Sequence, residues 1–160
     1  MENKEQFYLD VFKSSETDTD NGLKVYWTRN QSVVPDMSEF TVQLTNFALI
    51  LDLPVVPVNE KPLRIQVFSN LPIPLSLQSR TAPTQGNVLW EYYIRPTDYA
   101  SNNTLQVFFD QAIERELPLE SHLGLQTFFF ELALFNIRNE RVDYRLQTGN
   151  YFNFKLLFIK

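Results

Sequence analysis

Leu125-Gln126-Thr127-Phe128-Phe129-Phe130-Glu131-Leu132-Ala133-Leu134-Phe135-Asn136-Ile137 is the longest apolar run with β character in this chain, and its reading decides the fold. Four of the fourteen phenylalanines stand in it. At strand periodicity Phe128, Phe130, Leu132 and Leu134 fall on one face. Phe129, Ala133, Phe135 and Ile137 fall on the other, around Glu131. The first face is predicted to enter a core. A sheet in a sandwich has only one inner face, so the second face predicts a further cover. That cover is another subunit, or an early loop folded back over the sheet.

Working outward from this run, Asn139-Glu140 and Gly149-Asn150 carry turn signals. Between them Arg141–Leu146 alternates, and Tyr151–Ile159 places Phe152, Phe154, Leu156 and Phe158 on one face. The C-terminal third is therefore expected to form a three-stranded meander. Towards the N-terminus, Leu63–Ser69 alternates, with Leu63, Ile65 and Val67 inward. Val88–Arg95, Leu105–Phe109, Leu23–Thr28 and Phe7–Phe12 also read as strands. Glu39–Leu51 is a long strand whose second face changes from polar to apolar halfway, as expected of a strand exposed at one end and covered at the other. Prolines 54, 57 and 62 mark a loop, because proline cannot donate to a ladder. Leu77–Ser79 could pair locally, and Asp110–Leu117 could form a helical turn or two before Pro118. The sum is an all-β antiparallel sandwich in one domain, residues 1–160, with long loops and at most one short helix. A single jelly roll of about eight strands is the leading topology, ahead of an immunoglobulin-like sandwich.

Composition narrows the function. A net charge of −5 disfavours capture of nucleic acid, which needs clustered Lys and Arg. With no Cys and one His, there is no thiol nucleophile, no disulfide framework and no His- or Cys-rich zinc site. No run approaches a membrane helix, so no membrane insertion is expected. The polar start, Met1 to Phe7, is not read as a signal peptide.

Few residues suggest chemistry. His122 has Ser121 beside it but no nucleophile elbow, and reads as a loop residue. The acidic stretch 16–22 misses calcium-loop spacing: Gly22 falls one place late if Glu16 is the first ligand, and Trp27 stands where the bidentate Glu belongs. It reads as a solvated loop. The isolated glycines cannot cradle a phosphate. Glu91 and Glu131, inside apolar strands, read as outward residues or partners of Arg. Asn30-Gln31-Ser32 and Asn102-Asn103-Thr104 match the glycosylation pattern without a secretory signal to give it meaning. No catalytic residue, metal or cofactor is assigned. Trp27, Trp90, Tyr92 and Tyr93 form a possible sugar-stacking platform, with core and interface packing as the plainer reading.

One resemblance joins these features. Phe7–Phe12, the Ser/Thr/Asp loop after it, Ser38-Glu39-Phe40-Thr41-Val42-Gln43-Leu44 and the closing stretch Asn150–Lys160 together resemble the small single jelly-roll proteins of viral capsids. These include the penton-like and minor capsid proteins of double-stranded DNA viruses. The resemblance implies a non-enzymatic structural subunit, assembled in the host cell and located in the virion. It implies lateral sandwich contacts in a homo-oligomer, with other virion proteins as partners. The competing reading is a carbohydrate- or receptor-binding sandwich, such as a viral spike or tail adhesin.

Overall fold

A computed structural model describes residues 5–15, 22–29, 36–74, 87–101, 103–110, 116–121 and 126–160. His122, the acidic residues 16–21, the helical turns expected over 111–115, the pairing expected at 77–79, Asn30–Ser32 and Asn102 lie outside the described residues.

The described residues form eleven strands: β1 (Gln6–Ser14), β2 (Lys24–Thr28), β3 (Thr41–Asp52), β4 (Arg64–Ser69), β5 (Asn87–Tyr93), β6 (Tyr99–Ser101), β7 (Thr104–Phe109), β8 (Leu117–Pro118), β9 (Thr127–Phe135), β10 (Arg141–Val142) and β11 (Tyr151–Ile159). One sheet runs β1-β11-β3-β7-β6, with β8 against the start of β3. The other runs β10-β9-β4-β5, with β2 on the first half of β9. All pairings are antiparallel. Both β2 and β10 lie on the side of β9 away from β4, so the principal orders are β1-β11-β3-β7 and β2-β9-β4-β5. These two four-stranded sheets, face to face, are a single jelly roll.

Alternation builds the core. Phe128, Phe130, Leu132 and Leu134 of β9 face Phe152, Phe154, Leu156 and Phe158 of β11 across the sandwich, and all eight are at most 1% exposed. Phe130 meets Phe154 edge to face at 6.3 Å between centroids. Each such side chain contributes roughly 1.5–3 kcal/mol by leaving water. The core is nearly all aromatic and aliphatic, and is therefore non-directional. Strand register supplies the specificity that burial alone does not.

The long strand β3 departs from the sequence expectation in its cause. Lys155 pairs with Asn46 but Leu156 pairs with Leu44, so Thr45 is an extra residue. This β-bulge switches parity: Val42 and Leu44 are buried before it, and Phe47, Leu49 and Leu51 after it. The halfway change of face is thus an inserted residue, not one exposed and one covered end. Thr45 Oγ1 donates to Asn46 Oδ1 at 2.9 Å, within the kink. A second bulge inserts Leu89 into β5, because Val67 pairs with Trp90 and Phe68 with Val88.

The expected C-terminal meander is also corrected. β10 keeps only Arg141–Val142, and β11 does not pair with it. After Val142 the chain crosses to the other sheet, where β11 lies between β1 and β3. Residues 143–150 are longer than a tight hairpin connection. Buried Asn150 redirects them: its amide oxygen accepts from Asp52 N and Gln147 N, both at 3.0 Å, and its Nδ2 donates to Asp52 Oδ2 at 2.9 Å. Gly149 makes the turn at φ 86°, where a side chain would be strained.

Candidate interaction surfaces

The sandwich leaves two outer sheet faces, and they are built differently. On the β2-β9-β4-β5 sheet the outer positions include Lys24 and Tyr26, Phe129 to Phe135 in alternation, Arg64, Gln66 and Phe68, Glu91 and Tyr93, and Arg141. Here the chain covers its own phenylalanines, while Tyr26 and Tyr93 stay exposed. Phe68, Ala133 and Phe135 form a small second cluster at no more than 2% exposure, with Phe129 packed against it. The Arg64 guanidinium lies 4.4 Å from the Phe135 centroid, Lys24 Nζ lies 4.3 Å from that of Phe129, and Arg141 lies 5.6 Å from that of Phe68. The cations are themselves held. Arg141 donates to Glu131 and Asp143, and Arg64 donates to Glu91 and Asn139.

Two of the four residues expected at an interface, Ala133 and Phe135, are therefore buried within this chain. Phe129 is half-buried. Ile137 lies past the end of β9, in the turn after Asn136, and is 64% exposed.

On the β1-β11-β3-β7 sheet the outer face is bare. Phe12, Asn153, Ala48 and Phe108 form one row across four strands, and Ser14, Tyr151, Ile50 and Gln106 form the next. Phe12 and Phe108 are 49% and 54% exposed, and Tyr8, beside Leu157, is 57% exposed. The strand charges on this face are Asp10, Lys155 and Asp52, and Asp10 and Lys155 stand opposite each other. The patch was legible as the second phase of two strands, Tyr8 with Phe12 and Phe108 beside Val107. The sequence reading passed over it because the apolar second face of β9 was the stronger signal.

The four residues of the expected aromatic platform are not brought together. Trp27 and Trp90 both face inward, but from β2 and β5, at opposite ends of the sheet order. Trp27 packs on Phe128 and Phe158, and buried Trp90 packs on Phe47 at 4.7 Å. Tyr92 stacks on Trp90 at 5.7 Å, and its hydroxyl donates to Asp98. Burial, reinforced by Asp98, pushes the Tyr92 phenol up to about 12. Tyr93 points to the opposite face and is exposed. Core packing accounts for the two tryptophans, a role sequence alone could not separate from stacking.

At the end of the sandwich, the proline-marked loop and residues 136–147 border two adjoining open clefts of about 420 and 380 Å³ that share Pro54, Asp143 and Tyr144. The charges around them are largely matched: Arg138 pairs with Glu140 at 2.6 Å and Arg141 with Asp143 at 3.2 Å. Among the described residues no three His, Cys, Asp or Glu side chains gather as a metal set, and no helix is long and apolar enough to cross a membrane.

No protein-family model matches the sequence, and no curated protein matches it. A nora virus structure aligns over 96% of this chain and 55% of its own length at 10% identity, with a TM-score of 0.27, too low for a likeness of fold. The crystal structure of the mavirus penton protein aligns over 96% of this chain and 99% of its own, at 9% identity and a TM-score of 0.63. The chain thus has the single jelly-roll fold of a viral penton protein, along essentially the whole length of both.

Proposed function

We propose that this protein is a structural subunit of a virus particle, a penton-like or minor capsid jelly roll that assembles with copies of itself through its outer sheet faces. The observation that carries the reading is the end-to-end likeness of fold to the mavirus penton protein. The bare outer face of the β1-β11-β3-β7 sheet supports it, since the exposed Tyr8, Phe12 and Phe108 on a face with few charges fit a lateral contact. On the other outer face the phenylalanines are already covered by the chain's own cations, and the exposed aromatics are Tyr26 and Tyr93, so it serves as the more polar of the two lateral surfaces. The role is non-enzymatic, the site of action is the virion, and the other partners are virion proteins.

Native mass spectrometry of the purified chain, combined with proteomics of particles, tests this. A defined homo-oligomer, and the chain in stoichiometric amount in particles, are expected. A monomer at high concentration together with absence from particles would overturn it.

A further inference from the structure

Sheet edges are hazards, because unpaired N–H and C=O groups invite another strand, and folds usually blunt them. Among the described residues the edges other than β1 are short, bulged or irregular. The β5 edge carries the Leu89 bulge, β6 has three residues and an irregular register, β10 has two residues and β2 has five. β1 is nine residues long, contains no proline and pairs with β11 from Gln6 to Ser14 without a register shift. Among the described residues no strand pairs with its other side.

The direction of its free groups follows from the ladder. Lys160 N donates to Glu5 O at 2.8 Å, so residues 5, 7, 9, 11 and 13 exchange bonds with β11. Tyr8, Asp10 and Phe12 therefore turn their N–H and C=O groups to the open side. Phe7 and Leu9, which point inward, are only half-buried, so the core is open along this edge.

We infer that the free edge of β1 is a docking site for an extended peptide arm of another virion protein, added antiparallel, with apolar residues in alternation and a Lys or Arg opposite Asp10. Only an extended backbone satisfies a row of outward N–H and C=O groups. Charge selects the arm. On its paired side β1 already shows the pattern, with Leu157 opposite Tyr8 and Lys155 opposite Asp10. Pairing of β1 with β1 of a second copy, centred on residue 10, would set Asp10 against Asp10, which is destabilising. The inference rests on the capsid reading for the source of the arm and on the strand geometry for the site.

The probe is a synthetic peptide copying residues 151–160, N-methylated along one edge to prevent stacking on itself. Its binding is expected to slow exchange of the Tyr8, Asp10 and Phe12 amides about tenfold or more. Asp10→Pro, which removes an outward N–H and leaves the β11 ladder intact, should weaken binding about tenfold. Asp10→Asn should weaken it about threefold, but not for a peptide with Gln in place of its central Lys. Unchanged exchange of those amides, or equal binding by Asp10→Pro with an unaltered fold, overturns the site. In particles, a photo-crosslinker at position 10 should join a different virion protein, whereas joining a second copy overturns the proposed occupant. Absence of the chain from particles would sink the capsid reading and leave the peptide result standing.

Discussion

The two outer faces of this sandwich follow the same alternation, and their phenylalanines end in opposite states. On the β2-β9-β4-β5 sheet, Phe68 and Phe135 point outward and are nevertheless buried, with the Arg141 and Arg64 guanidinium groups over their rings, as the Lys24 amine lies over half-buried Phe129. On the β1-β11-β3-β7 sheet, Phe12 and Phe108 point outward and remain half-exposed, with no such cover among the described residues. An apolar outward residue is thus not by itself a partner signal. What matters is whether a long cationic side chain stands one or two strands away, able to cover the ring with its stem and anchor its head on a carboxylate. Glu131 and Glu91 provide those anchors, which fits their reading as outward residues paired with Arg.

Deleting Thr45 should have the largest effect. Without the bulge, Phe47, Leu49 and Leu51 turn onto the bare face and Ala48 and Ile50 turn inward, exchanging inside for outside over half of β3. No cooperatively folded protein is expected, as read by loss of near-ultraviolet circular dichroism and of a thermal transition.

Phe135→Ala comes next. Although it lies on an outer face, it should behave as a core truncation and lose about 3–5 kcal/mol in urea unfolding. A loss no larger than that of an exposed residue would erase the difference between the two faces. Phe12→Ser with Phe108→Ser should do the reverse. The monomer should stay within about 0.5 kcal/mol of the parent, while self-association weakens in sedimentation velocity.

The smallest effect concerns Tyr92, on the inner side of the sheet whose outer side carries Tyr93. Its folded pKa of about 12 lies above an unfolded value of about 10. The folded state then holds the proton more tightly, so this contribution is complete below pH 10 and is lost as pH rises from 10 towards 12. Tyr99 and Tyr144, also raised by burial, act with the same sign. Urea midpoints should fall over that range, and less steeply in Tyr92→Phe. An equal slope in the variant would show that this phenol is not linked to folding.

Most strands and the core were legible, because burial on one face imposes period two: Phe128 to Leu134 are expected in the core and are buried there, and Phe152 to Phe158, which alternation places on one face, are buried opposite them. Leu63, expected inward with Ile65 and Val67, instead precedes β4 and is exposed. The partner of each strand was harder to read. Tyr151–Ile159 followed a turn signal and was expected beside Arg141–Leu146, yet its neighbours are β1 and β3, distant in sequence. The candidate surface was only partly legible. The second face of β9 was noticed, but its self-cover depends on Arg64 and Arg141, which alternation on β9 does not contain. Tryptophan packing was equally hidden, since Trp27 and Trp90 look alike as core residues and as stacking platforms until the opposite sheet is in place.

The sequence by itself determined an all-β sandwich, the inward residues of β9, the inward Ile65 and Val67 of β4, the apolar face of β11, and a chain poor in residues that carry chemistry. Those are local properties, written in the period of apolar residues and in composition. Only the tertiary structure decided that β11 joins the sheet opposite β9, that Thr45 reverses β3, and which outward face stays bare. Each of these depends on what a distant strand places alongside, and a one-residue insertion or a cation one strand away leaves no periodic trace in the chain that it changes.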